Sequence, residues 1–302
     1  MQESRLKNYL LLHLIVFIWG FTAILGALIT VDAIPLVWFR MSLAVIIILL
    51  YFFFKKKSLK VDNKGLVKFF ITGVIIALHW ITFFEAINQA NVSITLAMFS
   101  SGAFFASLIE PVFFKRRILG YEIIFGIIVI LGVFLITSSE MGYINGIVLG
   151  LLSALLSTLF AVINGLFIEK HNATVISFYE FVSGVFFITV FILLTGKSFN
   201  AEFFILSNSD WMYLFILASV CTAYAFIGSV DIMRYISPFT VILSYNLEPI
   251  YGIVIAILLF PDTEKMSPQF YLGAILIMVT VVFDAIFKNY KRRRIKSNSI
   301  TN

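Results

Sequence analysis

Glu248 stands about halfway along an apolar run from 238 to 260, immediately before Pro249. A proline has no N–H, so the Tyr245 carbonyl four residues earlier loses its helical partner. A carboxylate beside freed backbone can take a proton or a substrate amine; the plainer alternative is a protonated acid bonded to a neighbouring helix for packing alone. His79 and Trp80 sit together in another apolar run. An imidazole changes charge near neutral pH, so His79 could relay protons or bind a carboxylate, and Trp80 could stack on a flat substrate. Against this, His79 could simply bond a carbonyl or a serine on an adjacent helix, and Trp80 could be an interfacial anchor. Trp19, in mid-segment beside Gly20, is too deep for such an anchor and reads as a cavity wall or as packing, with Gly20 permitting close helix approach. Asn164, Tyr224 and Asn246 each bring a hydrogen-bonding group into an apolar run, where it could meet substrate or glue helices together.

Four charged residues read as gates. Arg40 could close one end of a pathway against Glu85, and Glu180 could close the other against Arg234 or Lys170. Charges snorkelling at the interface are the alternative for Arg40 and Glu180. Glu110 reads as a partner of Lys115, Arg116 and Arg117, and Glu122 and Asp284 as interfacial groups.

The elements that must carry these groups are transmembrane helices. A hydrocarbon core of about 30 Å needs about 20 helical residues. Ten such stretches follow one another at about 9 to 30, 35 to 54, 65 to 85, 92 to 114, 120 to 138, 145 to 168, 174 to 195, 211 to 230, 238 to 260 and 268 to 287. The composition, 61% hydrophobic and 13% charged with a mean hydropathy of +1.03, agrees and leaves no room for an extramembrane domain. Cationic residues test the count. Of 22 Lys and Arg, nineteen fall on the side of the N-terminus, two (Lys197 and Lys265) on the other, and Arg40 within a span. A miscounted helix would scramble that bias, so both termini are expected in the cytoplasm; the expected location of this multi-pass protein is the bacterial cytoplasmic (inner) membrane. The net charge of +6 then reflects topology, and the KRRR tail reads as a positive-inside, lipid-touching segment with no nucleic-acid partner.

Laid on itself at a shift of about 140 to 147 residues, the chain matches weakly but in order. Arg40 coincides with Glu180, Glu85 with Asp231, Gly102-Ala103 with Glu248-Pro249, and Gly126 with Gly273. Each half holds an odd number of helices and so must insert in the opposite sense to the other. The expected class is thus an all-α membrane protein of two inverted five-helix repeats, 1–138 and 145–287, with a basic tail at 288–302.

These features resemble the EamA family of the drug/metabolite transporter superfamily over nearly the entire chain. The carriers are Trp19-Gly20, Arg40, the passage FFEAINQANVSITLA from Phe83 to Ala97, and NLEP from Asn246 to Pro249. The resemblance implies a central cavity lined mainly by helices one, three, four, six, eight and nine, and export of small metabolites such as amino acids. The chain departs from the usual pattern in helix four, where Glu110-Pro111 is an added acidic pair and Ala103 stands where a proline is common.

Other classes find little support. Prenyl transfer would need Asp-rich metal motifs, and intramembrane proteolysis a GxGD pair, a GxS serine within a span or HExxH; none occurs, the one GxS (Gly196-Lys197-Ser198) falling between spans, nor does a Walker A loop. The single Cys221 offers no disulfide, metal or redox motif. The expectation is a secondary transporter with no cofactor and no catalytic residue, working by alternating access at a midplane cavity. Glu248 is its protonatable or amine-binding group, His79 a partner, and a proton the candidate coupling ion. A lipid or polyprenyl-carrier flippase is the alternative, and monomer and homodimer are both open.

Overall fold

The computed structural model describes residues 2–56, 58–115, 117–118, 120–195, 199–236 and 238–298. Lys57, Arg116 and Lys197, counted in the charge bias, lie outside the described residues, as do the side chains of Arg5, Asp284 and the basic residues from Lys288 onward. All regular structure among the described residues is helical.

Helices α1 (Gln2–Leu28), α2 (Ala33–Lys55) and α3 (Asn63–Gln89) are long and uninterrupted. α4 (Val92–Phe99) and α5 (Gly102–Phe113) together make the fourth apolar stretch, broken at Ser100 and Ser101. α6 (Gly120–Ser139) ends the first half. In the second half follow α7 (Ile144–Phe167), α8 (Ala173–Leu194), α9 (Asn208–Ile216), a π-helical stretch (Leu217–Tyr224) and α10 (Ala225–Ile232). The chain then forms α11 (Pro238–Tyr245), α12 (Glu248–Leu259) and α13 (Pro268–Asn298).

Among the described residues, eight stretches are long and apolar enough to cross a membrane. α12 and the apolar part of α13, Pro268–Thr280, are shorter. The last helix does not stop at 287 as expected but runs through the basic tail to Asn298; Lys and Arg are good helix formers, so nothing in that tail ends it.

Two breaks share one register. α4 gives way to α5 at Ser100-Ser101, and α11 to α12 at Asn246-Leu247, the two sites that the repeat superposes. At the second, Pro249 falls in the first turn of α12, where its missing N–H costs nothing. At the first there is no proline. There the Ser100 hydroxyl donates to the Leu96 carbonyl at 3.1 Å, and the Ser101 N–H bonds Met98 in a tighter turn.

The helix connections sort into two sets if consecutive spans alternate in direction, and the hydrogen bonds between distant connections respect that sorting. On the face opposite the N-terminus, Thr30 donates from its backbone N–H and its hydroxyl to the Asp210 carboxylate, both at 2.8 Å. Glu264 accepts from the Val92 and Ser93 N–H groups at the start of α4, at 3.0 and 2.8 Å. Asn91 caps the same helix through its side-chain oxygen and donates from Nδ2 to the Thr263 carbonyl. On the N-terminal face, the Tyr179 hydroxyl donates to the Leu59 carbonyl and Arg234 Nη2 to that of His171.

The core packs through glycines where helices touch most closely. A Cβ on Gly20 would stand 2.9 Å from that of Tyr251, so α1 and α12 meet backbone to backbone. Gly73 plays the same part between α3 and α8, where a Cβ would collide with the carbonyl oxygen of Glu180. α6 and α13 pack on each other, and α6 presents Ile123, Ile124, Ile127, Ile130, Leu131 and Phe134 outward as an apolar face suited to lipid.

Candidate functional site

The helices converge on a partly open cavity, with about 480 Å³ of space between side chains of both halves. Trp19 and Thr22 come from α1, Arg40 from α2, His79, Trp80 and Phe83 from α3, and Phe99 from the end of α4. Ser157 and Phe160 of α7, Phe226 of α10, Tyr245 of α11 and Glu248 of α12 complete it. The break between α11 and α12 sets Tyr245 and Glu248 side by side on this wall.

Arg40 is the residue whose position departs most from expectation. It lies seven residues into α2, about 10 Å along the helix axis, and is 1% exposed. Neither a gate against Glu85 nor an interfacial snorkel describes that placement. Its guanidinium lies over the Trp80 ring, 3.9 Å from the centroid, and Nε donates to the Thr222 hydroxyl at 2.6 Å. Thr222 in turn donates to the Leu217 carbonyl five residues back, a bond that the π-helical turn makes possible. Nη1 of Arg40 is buried without a hydrogen-bond partner. Glu248, 7% exposed, lines the same cavity, and among the described residues no ion pair joins the two.

The π turn serves Trp19 as well. Its indole Nε1 donates to the Cys221 carbonyl at 2.9 Å, an acceptor within the widened turn, and its ring meets Tyr245 edge to face at 4.9 Å. Trp19 is thereby held across the cavity wall.

His79 both bonds its neighbour and faces the cavity. Nδ1 lies 3.0 Å from the Ser153 carbonyl and 2.9 Å from the Ser153 hydroxyl. A carbonyl only accepts, so Nδ1 carries the proton; the Ser153 hydroxyl accepts from it and donates onward to the His79 carbonyl at 3.2 Å. That assignment leaves Nε2 of the neutral ring as an acceptor. The ring packs against Phe83, Phe99 and Phe160.

Asn246 lies next door, in a smaller cavity of about 290 Å³ that shares Phe99, Ser157 and Tyr245 with the first. Tyr224 is 52% exposed on the outside of the bundle and lines neither cavity, because the π turn directs Cys221 and Thr222 inward instead. Asn164 is also elsewhere: it is 1% exposed and donates from Nδ2 to Oε2 of Glu180 at 3.3 Å.

The expected gate pairs are not formed here. Glu85 accepts from Gln89 one turn away, at 2.8 Å, and Arg234 pairs with Asp231 at 3.3 Å. Glu180 is wholly buried on Asn164, away from both Arg234 and Lys170. Glu110 and Glu122, expected near the surface, are 7% and 3% exposed, and Glu122 lines a third cavity with Ser107, Gly126 and Thr280. Two carboxylates of evident structural weight, Asp210 and Glu264, were not singled out from sequence. A capping box offers one signal: Ser207, three residues before Asp210, exchanges bonds with it.

The chain matches no curated protein. Solved structures do match, 26 chains in all. One of them, a crystal structure of a protein, shares 12% sequence identity and a TM-score of 0.64 over 92% of this chain and 96% of its own, which is a likeness of fold. The EamA-like transporter family model matches residues 6–138 and again 144–284. With both of its repeats present across nearly the whole length, this multi-pass membrane protein belongs to the EamA-like transporter family.

Proposed function

We propose that the protein is a secondary transporter that exports small zwitterionic metabolites, amino acids foremost, from the cytoplasm by alternating access. The observation that carries the reading is that Arg40 and Glu248, a cationic and an acidic side chain, line one cavity without a direct ion pair between them. A guanidinium with an unpartnered nitrogen is suited to a carboxylate, and a carboxylate to an ammonium. The flanking rings of Trp19, Trp80, Phe83, Phe99 and Phe226 suit an apolar side chain between them. Amino acids as the class, and export as the direction, rest on the family resemblance.

Ten spans with cytoplasmic termini accord with the family's paired repeats, the charge bias and the two-sided sorting of loop contacts. The face opposite the N-terminus is then extracellular, and its closure is made by Asp210 on Thr30 and Glu264 on the start of α4. Glu248 serves as the group that exchanges a proton for the substrate amine. Moving one charge across 100 mV is worth about 2.3 kcal/mol, enough for a useful gradient.

The test is counterflow in proteoliposomes loaded with a panel of amino acids, amines and sugars. Uptake of a labelled amino acid driven by an internal pool of the same compound supports the reading. If no soluble metabolite exchanges while labelled lipid crosses faster than in protein-free vesicles, the site carries a headgroup and the reading fails.

A further inference from the structure

Glu180 and Asn164 form a pair that the cavity does not use. Glu180 lies seven residues into α8 and is wholly buried; Asn164 lies in α7 and is 1% exposed. One bond joins them, from Nδ2 of Asn164 to Oε2 of Glu180 at 3.3 Å. The other half of each side chain is unsatisfied: Oε1 of Glu180 and Oδ1 of Asn164 are both buried without a donor. Two orphan acceptors on two side chains already in contact are what an ionised carboxylate would leave behind. One hydrogen, placed on Oε1, turns that atom into a donor whose natural acceptor is Oδ1, and both deficits close in a two-bond acid–amide pair.

Among the described residues no cation offers an alternative. α2, α3 and α10 pack on α8. Their titratable side chains are Arg40, Tyr51 and Lys55; Lys64, Lys68, His79 and Glu85; and Asp231. Arg40 bonds Thr222, lines the separate cavity and forms no ion pair with Glu180, while His79 is bonded to Ser153, Glu85 to Gln89 and Asp231 to Arg234. Tyr51 and the three lysines are exposed. α7 carries no titratable side chain, and Tyr179 of α8 itself is spent on the Leu59 carbonyl. An ionised carboxylate would therefore be buried without any counter-charge, a cost that proteins meet by neutralising the group.

We propose that Glu180 is a proton-binding site, occupied in this conformation, and that Asn164 is its positioning partner. The proton sits on Oε1 and is donated to Oδ1 of Asn164. Release breaks the O–H bond, passes the proton to a water molecule and leaves the carboxylate. Oε1 is buried, so water reaches it only when the packing around α8 opens, and emptying the site is tied to that opening. The site lies in the second repeat at the position matching Arg40 in the first, and is separate from the Arg40–Glu248 cavity. The inference does not depend on which substrate that cavity takes.

The experiment is infrared difference spectroscopy of the full-length protein in lipid, comparing wild type with Glu180→Gln at a pH where a free glutamate is ionised. The expected result is loss of a protonated carboxylic-acid carbonyl band from the variant. Loss of the paired carboxylate stretching bands instead would overturn the proposal. Because Glu180→Gln could fail to fold, Asn164→Leu is measured too. The acid band should persist there and move to higher wavenumber as its hydrogen bonds disappear; an acid band at the wild-type position would remove Asn164 from the proposal. Neither readout requires transport, so a failure here is distinct from a failure of the counterflow test.

Discussion

Replacing Arg40 by methionine separates two roles that a buried arginine can play. Among the described residues the guanidinium makes one side-chain hydrogen bond, to Thr222, and lies over Trp80. Neither loss leaves an orphan donor, because the Thr222 hydroxyl keeps its own bond to the Leu217 carbonyl. Removing the guanidinium also removes the unsatisfied Nη1. The cation–π contact and the Nε bond together favour arginine by about 2 to 4 kcal/mol. The desolvation of a buried charge opposes this by an amount of the same size. The expected change in stability is therefore within about 1 kcal/mol. A bound carboxylate, by contrast, loses its charge-assisted partner, at a cost of about 2 to 5 kcal/mol. That converts to a 30- to 3,000-fold rise in Kd, at about 1.4 kcal/mol per factor of ten. Arg40→Lys keeps the charge and loses the planar fork, so it should fall between. The assay pairs a thermal-unfolding midpoint in detergent with a titration of the amino acid found by counterflow. An Arg40→Met protein that binds that ligand within threefold of wild type, while melting far below it, would refute the reasoning and make Arg40 a structural strut.

Glu248→Gln is expected to leave the fold intact and abolish flux driven by a pH gradient, read in proteoliposomes; gradient-driven flux surviving in the variant would sink the coupling role. Gly73→Ala should lower stability by about 1 to 3 kcal/mol, since the new Cβ meets the Glu180 backbone and α3 must move off α8; an unchanged melting midpoint would show that this contact yields freely. Cysteines replacing Thr30 and Asp210 should crosslink readily when the face opposite the N-terminus is closed. The yield should change when substrate is supplied; a yield indifferent to substrate would make this contact a static brace. Trp19→Phe keeps the ring against Tyr245 and loses the bond to the Cys221 carbonyl. Affinity should weaken by a factor of about 3 to 10, the value of one neutral hydrogen bond, and a titration curve unchanged from wild type would place Trp19 outside the binding energy.

Much of this architecture was legible because lipid imposes so few solutions. Helix bounds read from apolar runs agree with the structure within a few residues at α2, α6, α7 and α8. Trp19, His79, Trp80 and Glu248, each too polar or too large to be explained by its depth alone, line one cavity. Rotation about the helix axis was harder to read. In a helix apolar all round, nothing in the sequence tells which way a residue faces. Arg40, near the start of α2, thus read as a gate and is a cavity residue, and Tyr224 read as a cavity residue and faces outward. The π turn between Leu217 and Tyr224 has no evident sequence signal. Nor did the apolar runs point to Asp210 and Glu264, whose partners, Thr30 and the start of α4, are distant in sequence.

The two helix breaks have a consequence for how such chains are recognised. One break is built from a proline and the other from two serines and a glycine, at the same register of the two halves. Where different local chemistries produce one discontinuity, the demand for it comes from the surrounding bundle, and the residues are only means of meeting it. A proline is then interchangeable at this address. Ala103→Pro would put one at the second residue of α5, a position that tolerates it, and a homologue lacking proline in both halves could still bend twice.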